Sequence, residues 1–132
     1  MTRRLFIRET ASKGRGVFCN RLIKKDECIE VCPLLLLPAG DSEGLSNTRL
    51  HDHLFHFDKA EGTLALVFGF GSLYNHATRS NASYILDKED QVMRYYALED
   101  IPPGQEICIN YAGDSGSASR EWFTSRGIPY KE

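Results

Sequence analysis

Short apolar stretches separated by polar or glycine-rich turns recur along the whole chain. Their length and their alternating or β-branched positions predict strands rather than helices. The predicted strands span residues 5–8, 17–19, 28–37, 54–57, 63–68, 82–86, 92–97 and 107–111. A single helix is predicted over residues 119–126, because Ser119 caps its start and Gly127 and Pro129 follow its end. The pattern as a whole predicts a mainly β protein.

Three stretches within this pattern predict more specific local structure. Prolines 33 and 38 bracket a run of four leucines, which predicts an edge or bent strand because proline cannot donate to a sheet ladder. Residues 39–47 are rich in glycine, serine and acidic residues and predict a surface loop. The predicted strands 82–86 and 92–97 flank a charged tip and form a predicted hairpin.

Length and charge limit the classes of protein that fit. The 132 residues predict one domain, residues 1–132, that is long enough to bury a core. A net charge of −2 does not supply the basic surface of a nucleic-acid-binding protein. The apolar residues 5–7 are too few for a signal peptide, and the leucine run is too short to cross a bilayer. We expect a soluble, intracellular protein of the cytoplasm or nucleus.

Cysteines and histidines do not form a recognisable metal site. The cysteines are Cys19, Cys28, Cys32 and Cys108. Their irregular spacing favours free thiols in a reducing compartment, since neither a CxxC pair nor further zinc ligands accompany them. The histidines at positions 51, 53 and 56 form an HxHxxH cluster. No acid-rich or cysteine pattern accompanies this cluster, so no metal is predicted there.

Residues 68–81 hold the densest group of candidate functional residues. A predicted strand leads into Gly69 and Gly71, which permit close approach of the backbone to another group. Asn75, His76 and Asn81 follow, and their side chains can donate or accept hydrogen bonds. Alone, this stretch favours an ordinary strand that ends in a glycine-rich turn. Its combination with segments near both ends of the chain favours a functional site.

Three segments in this order resemble the SET-domain protein-lysine methyltransferases: GRGVF at residues 14–18, Asn75-His76 with Asn81, and GQEICINY at residues 104–111. Glu30 also stands where the family carries a similar residue. The likeness covers most of the chain and is to the minimal stand-alone SET proteins of large algal viruses and bacteria. It implies a β-clip fold of several small sheets with a short terminal helix. The carboxy-terminal segment would pass under a loop from the Asn-His region as a pseudoknot, which is a rare topology.

The resemblance also implies that the chain binds S-adenosylmethionine and releases S-adenosylhomocysteine. The implied cofactor-binding residues are Lys13, Gly14, Arg15, Gly16, Asn75, His76 and Trp122. Glycine admits close approach of a ligand, and an asparagine amide can pair with both an ammonium and a carboxylate. The alternatives are that the two glycines only form a hairpin turn and that the tryptophan only docks the terminal helix. A doubly wound nucleotide-binding fold is not favoured, because GRGVF is not GxGxxG.

The same resemblance implies that Tyr111 is the catalytic tyrosine. Its hydroxyl would accept weak CH hydrogen bonds from the methyl group in transfer. The alternative is an ordinary strand-end tyrosine with its ring in the core. The implied substrate channel consists of Phe57, Phe68, Phe70 and Tyr74, although aromatic clusters in small β domains also form cores. His53 and Ser115 stand where related minimal enzymes can carry tyrosines that narrow this channel.

The predicted function is therefore protein-lysine N-methylation. The partner would be a lysine-containing protein or peptide, with a histone tail among the candidates, bound as an extended strand beside a sheet. By analogy, a homodimer would complete the peptide groove. The alternative is a non-catalytic SET-like module that binds a peptide or partner without turnover.

Overall fold

The computed structural model of the chain describes residues 4–111. Within that range the elements are β1 (Leu5–Glu9), β2 (Arg15–Cys19), β3 (Cys28–Leu37), α1 (Ala39–Leu45), a 3-10 helix (Arg49–His53), β4 (Phe55–Asp58), β5 (Thr63–Val67), β6 (Asn75–His76), β7 (Ala82–Asp87), β8 (Val92–Ala97) and β9 (Glu106–Ile109). The predicted helix at 119–126, Trp122 and Ser115 lie outside the described residues.

The mainly β architecture is confirmed, and within residues 4–111 it consists of two small sheets. The first has the strand order β1-β2-β9-β6, and the second has the order β4-β5-β3-β8-β7. Among the described strands, every pairing is antiparallel except that of β6 with β9, which is parallel. Side chains from both sheets share one core, among them Val17, Ile107 and Ile109 from the first sheet and Val67, Met93 and Tyr95 from the second.

Strand β3 lies in the middle of its sheet, so the predicted edge position is wrong, whereas the alternative of a bent strand stays a prediction. Its residues 28–33 pair with β8, and its residues 34–37 pair with β5. Pro33 stands where the strand changes partner, and its carbonyl accepts a hydrogen bond from Phe68 N–H at 3.0 Å. A proline is tolerated in this central strand because each half of the strand has one ladder partner, which leaves the missing N–H without consequence.

Residues 39–47 contain helix α1, so the prediction of a loop there is also wrong. None of the residues of α1 is buried, and no apolar stripe therefore marks the helix in the sequence. Pro38 precedes the helix, and the Ser42 hydroxyl donates to the carbonyl of Ala39 at 2.9 Å. Within residues 4–111, neither helix has the length and apolar character needed to span a membrane.

All four cysteines are free, as predicted. Cys19, Cys32 and Cys108 are buried, whereas Cys28 is exposed. Burial of the Cys108 thiol, together with the nearby Glu106 carboxylate, raises its pKa to about 12. The buried thiol therefore stays protonated at neutral pH and behaves as a small apolar side chain.

Asn81 connects the loop that follows β6 to strand β9. Its side chain is buried, with 7% exposure. The amide oxygen accepts a hydrogen bond from Cys108 N–H at 2.9 Å, and the amide nitrogen donates to the carbonyl of Glu106 at 2.8 Å. One side chain thus satisfies two backbone groups of β9 and extends the short pairing between β6 and β9.

We expect Asn81→Ala to lower the free energy of unfolding by about 2–3 kcal/mol, because two buried backbone groups lose their partners. Urea denaturation followed by circular dichroism measures this change. Asn47→Ala, at an exposed asparagine, is the matched control and should change stability by less than about 0.5 kcal/mol. Equal effects of the two substitutions would contradict the role assigned to Asn81.

Candidate active site

The turn between β5 and β6 is held by the carboxylate of Glu30, on strand β3. Phe70 N–H donates to one oxygen at 3.0 Å, and the Tyr74 hydroxyl donates to the other at 2.7 Å. Gly69 passes close to the same carboxylate with φ +67°, where a methyl side chain would collide with Glu30 Oε2. The close approach predicted for this glycine is therefore to a carboxylate of the protein itself.

The parallel pairing of β6 with β9 brings Tyr111 beside His76. Tyr111 N–H donates to His76 Nδ1 at 3.2 Å, and the two ring centroids are 5.3 Å apart. The Tyr111 hydroxyl donates to the backbone carbonyl of Tyr74 at 2.6 Å. Tyr111 therefore contacts both chain neighbours of Asn75, although 35 positions separate it from His76.

The phenol of Tyr111 lies in surroundings that keep it neutral. Burial raises its pKa above the ordinary value, and the neighbouring Cys108 and Glu106 act in the same direction. The hydroxyl therefore remains protonated at neutral pH and continues to donate to the Tyr74 carbonyl. It is suited to hydrogen bonding and is a poor candidate for a general base.

The predicted glycine turn lies against the Asn-His pair. Thr10 organises the turn, because its hydroxyl accepts from Lys13 N–H at 2.8 Å and donates to the Gly14 carbonyl at 2.8 Å. Gly14 has φ +73°, a conformation that favours glycine. The Lys13 ammonium reaches across to the backbone carbonyl of His76 at 2.7 Å. The turn and the Asn-His pair are thus directly connected.

The side chain of Asn75 makes a second connection to this turn. Its amide nitrogen donates to the Arg15 carbonyl at 3.2 Å and to Glu106 Oε2 at 2.8 Å. Gly16 is buried beside them, and a methyl group there would collide with the Glu106 carboxylate. The structure therefore brings together six of the seven residues predicted to bind a cofactor, all except Trp122, which lies outside the described residues.

The residues predicted to line a substrate channel have different surroundings. Tyr74 is buried, with 1% exposure, and Phe70 is half-buried against the core. Phe68 is 46% exposed. Phe57 is half-buried, and the Lys88 ammonium lies 5.8 Å from its ring centroid. Their assignment to a channel stays a prediction.

Tyr84 belongs to the site but is absent from the set inferred from sequence. Its hydroxyl donates to the backbone carbonyl of Tyr111 at 3.2 Å, and its ring packs edge-on against Phe55 with centroids 5.6 Å apart. Tyr84 occurs in the alternating pattern of a strand, where an aromatic residue is usually part of the core. No feature of the sequence alone distinguishes it from such a residue.

His53 also contacts the turn that leads to Asn75. Its Nδ1 lies 2.9 Å from the backbone carbonyl of Ser72. A carbonyl can only accept, so Nδ1 carries the hydrogen in this contact. The imidazole therefore ties the 3-10 helix to the turn between β5 and β6.

Comparison with known proteins agrees with this geometry. Residues 14–112 match the family model of the SET domain. The H3 lysine-37 specific histone-lysine N-methyltransferase of Schizosaccharomyces pombe is 33% identical over 123 residues, covering 88% of this chain and 82% of that protein. The mouse protein-lysine N-trimethyltransferase SMYD5 is 31% identical over 106 residues, covering 76% of this chain and 24% of that protein.

Solved structures support the same assignment. A Plasmodium falciparum structure described as a histone methyltransferase superposes with a TM-score of 0.69 at 30% identity, covering 89% of this chain and 99% of that one. A chain of ctPRC2, in a structure bound to S-adenosylmethionine, gives a TM-score of 0.71 at 16% identity. The match covers 98% of this chain and 18% of that one, and it shows similarity of fold. The family match and the relatives together establish that this chain belongs to the SET-domain family.

Proposed function

We propose that this SET-domain chain is a protein-lysine N-methyltransferase that transfers a methyl group from S-adenosylmethionine to a lysine side chain. The observation that carries the proposal is the convergence of the glycine turn at 13–16, the Asn75-His76 pair and Tyr111 in one hydrogen-bonded cluster. Family membership and the Schizosaccharomyces pombe relative support this reaction class.

The polar groups around Asn75 suit the amino-acid part of S-adenosylmethionine. The amide oxygen of Asn75 is an acceptor that fits an ammonium, and the Lys13 ammonium fits a carboxylate. Gly14 and Arg15 are exposed residues next to these groups, and the space beside Gly14 is open. When bound, the cofactor supplies a methyl group on a positively charged sulfonium.

The lysine of the substrate must be neutral when it attacks the methyl group. With an ordinary pKa of about 10.4, the neutral form costs about 4.6 kcal/mol at pH 7. Tyr111 does not serve as the base, because its own pKa is raised. The chain instead favours the neutral amine by burying it among aromatic side chains, and the proton leaves to solvent.

Tyr111 contributes through fixed geometry. Its N–H donates to His76 Nδ1, and its hydroxyl donates to the Tyr74 carbonyl. Its own carbonyl accepts from the Tyr84 hydroxyl. The phenol oxygen keeps a lone pair that can accept weak CH hydrogen bonds from the methyl group. A hydroxyl held in place in this way stabilises the transition state without reorganising.

A basic histone tail is the first candidate substrate. The Schizosaccharomyces pombe relative acts, by its name, on histone H3. Exposed carboxylates that suit a basic peptide are those of Asp41, Glu43, Glu89 and Glu99. Asp87 and Asp90 are less suitable, because both already pair with Arg94 at 3.2 and 3.3 Å.

We expect Tyr111→Phe to lower the rate of methyl transfer about 100-fold, because it removes the hydroxyl and keeps the ring. Transfer is measured with labelled S-adenosylmethionine on a panel of histones and a cell lysate, and cofactor affinity is measured by calorimetry. The affinity for the cofactor should change less than about threefold, since Asn75, Lys13 and the glycine turn are unaltered. Tyr96→Phe, which removes a hydroxyl from strand β8, is the control.

Two outcomes would contradict the proposal. If the unmodified protein binds the cofactor but Tyr111→Phe transfers methyl groups as fast as Tyr96→Phe, the role of Tyr111 is wrong. If the unmodified protein binds no S-adenosylmethionine and labels no protein, the non-catalytic peptide-binding module is the better description.

We also expect Gly16→Ala and Gly14→Ala to differ, although the chemical change is the same. At Gly16 the methyl group displaces the Glu106 carboxylate and the Asn75 amide, so cofactor affinity should fall at least about tenfold. At Gly14 there is open space, and the cost is about 1–2 kcal/mol of stability from the φ of +73°. Calorimetry and urea denaturation separate the two effects, and a larger loss of affinity at Gly14 would contradict the role assigned to Gly16.

A further inference from the structure

The amide of Asn75 is held in one of its two possible orientations. An asparagine side chain has two N–H donors on its nitrogen and one carbonyl oxygen, and a rotation by half a turn exchanges them. Both donors of Asn75 are committed, one to the Arg15 carbonyl at 3.2 Å and one to Glu106 Oε2 at 2.8 Å. The orientation that remains presents the amide oxygen as an acceptor.

Glu106 is the partner that makes this orientation strongly preferred. A carboxylate can only accept hydrogen bonds, and a bond to an ionised acceptor is stronger than one to a neutral carbonyl. The reversed amide would place its oxygen against the Glu106 carboxylate, and the two would repel each other. Glu106 therefore selects which atom of Asn75 is available to a ligand.

The placement of Glu106 is itself fixed by its neighbours. Its backbone pairs with Phe18 on strand β2, and its carbonyl accepts from the Asn81 side chain at 2.8 Å. Its carboxylate lies where a side chain at position 16 would be, so it depends on Gly16. Phe18 and Asn81 thus fix the backbone of Glu106, and Gly16 leaves room for its carboxylate beside the glycine turn.

The local charges are consistent with a site for a zwitterion. Lys13 lies in the turn between β1 and β2, and its ammonium donates to the His76 carbonyl on β6 at 2.7 Å. Lys13 and Glu106 act in opposite directions on the buried Cys108 thiol, since Glu106 raises its pKa and Lys13 lowers it. A negative and a positive group therefore both lie close to the β6–β9 pair.

We propose that Glu106 is a positioning residue, which orients the Asn75 amide so that its oxygen accepts a hydrogen bond from the α-ammonium of S-adenosylmethionine. The inference rests on the proposed function, because it concerns the same cofactor. It assigns Glu106 a role in cofactor recognition that is separate from the chemistry at Tyr111. Its action depends on the hydrogen bond to Asn75, so a neutral acceptor of the same shape should largely replace it.

The first test compares binding of two ligands by calorimetry or by titration followed by NMR. S-Adenosylhomocysteine carries the α-ammonium, whereas 5′-methylthioadenosine lacks the amino-acid part. We expect Glu106→Ala to weaken binding of S-adenosylhomocysteine by about tenfold or more and to leave binding of 5′-methylthioadenosine unchanged. Glu106→Gln should restore binding to within about threefold, because its side-chain oxygen can still accept from Asn75. Glu61→Ala, at an exposed glutamate, is the control.

A second pair of variants tests the contact directly and does not depend on the stability of Glu106→Ala. Asn75→Asp places a carboxylate against Glu106, so binding of S-adenosylhomocysteine should fall by about 100-fold through mutual repulsion. In Asn75→Asp combined with Glu106→Gln, the glutamine amide can donate to the new aspartate. We expect the double variant to regain at least about tenfold of the lost affinity.

The outcomes separate this inference from the proposed function. Equal losses for both ligands in Glu106→Ala, or no loss for S-adenosylhomocysteine, would overturn the role of Glu106. The role of Glu106 would also be overturned if the double variant bound S-adenosylhomocysteine no more tightly than Asn75→Asp alone. Failure of the unmodified protein to bind S-adenosylhomocysteine would instead overturn the proposed function.

Discussion

The parallel pairing of β6 with β9 is the interaction on which the rest of the site depends. It involves only two residues of β6, Asn75 and His76, opposite Cys108 and Ile109. Two pairs of residues are too few to be stable alone. Asn81 reinforces the pairing by bonding to two backbone groups of β9, and the pairing places the Asn-His pair beside Tyr111.

Carboxylates next to glycines form a second theme of the structure. Glu30 lies against Gly69 and organises the turn before β6, while Glu106 lies against Gly16 and orients Asn75. In both places the absence of a side chain leaves room for an ionised acceptor, which then fixes N–H or O–H donors by strong hydrogen bonds. The glycines of these motifs thus serve the internal organisation of the protein as well as any ligand.

Sequence reasoning found the elements that carry a strong local pattern. The hairpin of β7 and β8 follows from alternation around a charged turn, and β5 follows from its apolar run. Strand β6 could not be predicted, because two residues carry no periodicity and their partner is distant in the chain. Helix α1 was not predicted because it buries nothing. The bounds of β3 were predicted, but its position in the middle of the sheet was not, because a change of partner at Pro33 is a property of the tertiary structure.

Some residues of the candidate site could likewise be predicted from the sequence, and others could not. The motif residues from 13–16, 75–76 and 111 were found through a resemblance, and the structure brings them together. Tyr84 and the role of Glu106 could not be found in this way, because one looks like a core aromatic residue and the other like a charged residue at the start of a strand. Their contribution depends on contacts across the β6–β9 pair, which the linear sequence does not display.

The central claim is that the glycine turn, the Asn75-His76 pair and Tyr111 surround one methyl donor. A crystal structure of the protein with S-adenosylhomocysteine bound tests it most directly. We expect the amino-acid part of the ligand to lie against Asn75 and Lys13 and its sulfur to face the Tyr111 hydroxyl. A ligand bound elsewhere, or one whose sulfur faces away from Tyr111, would contradict it.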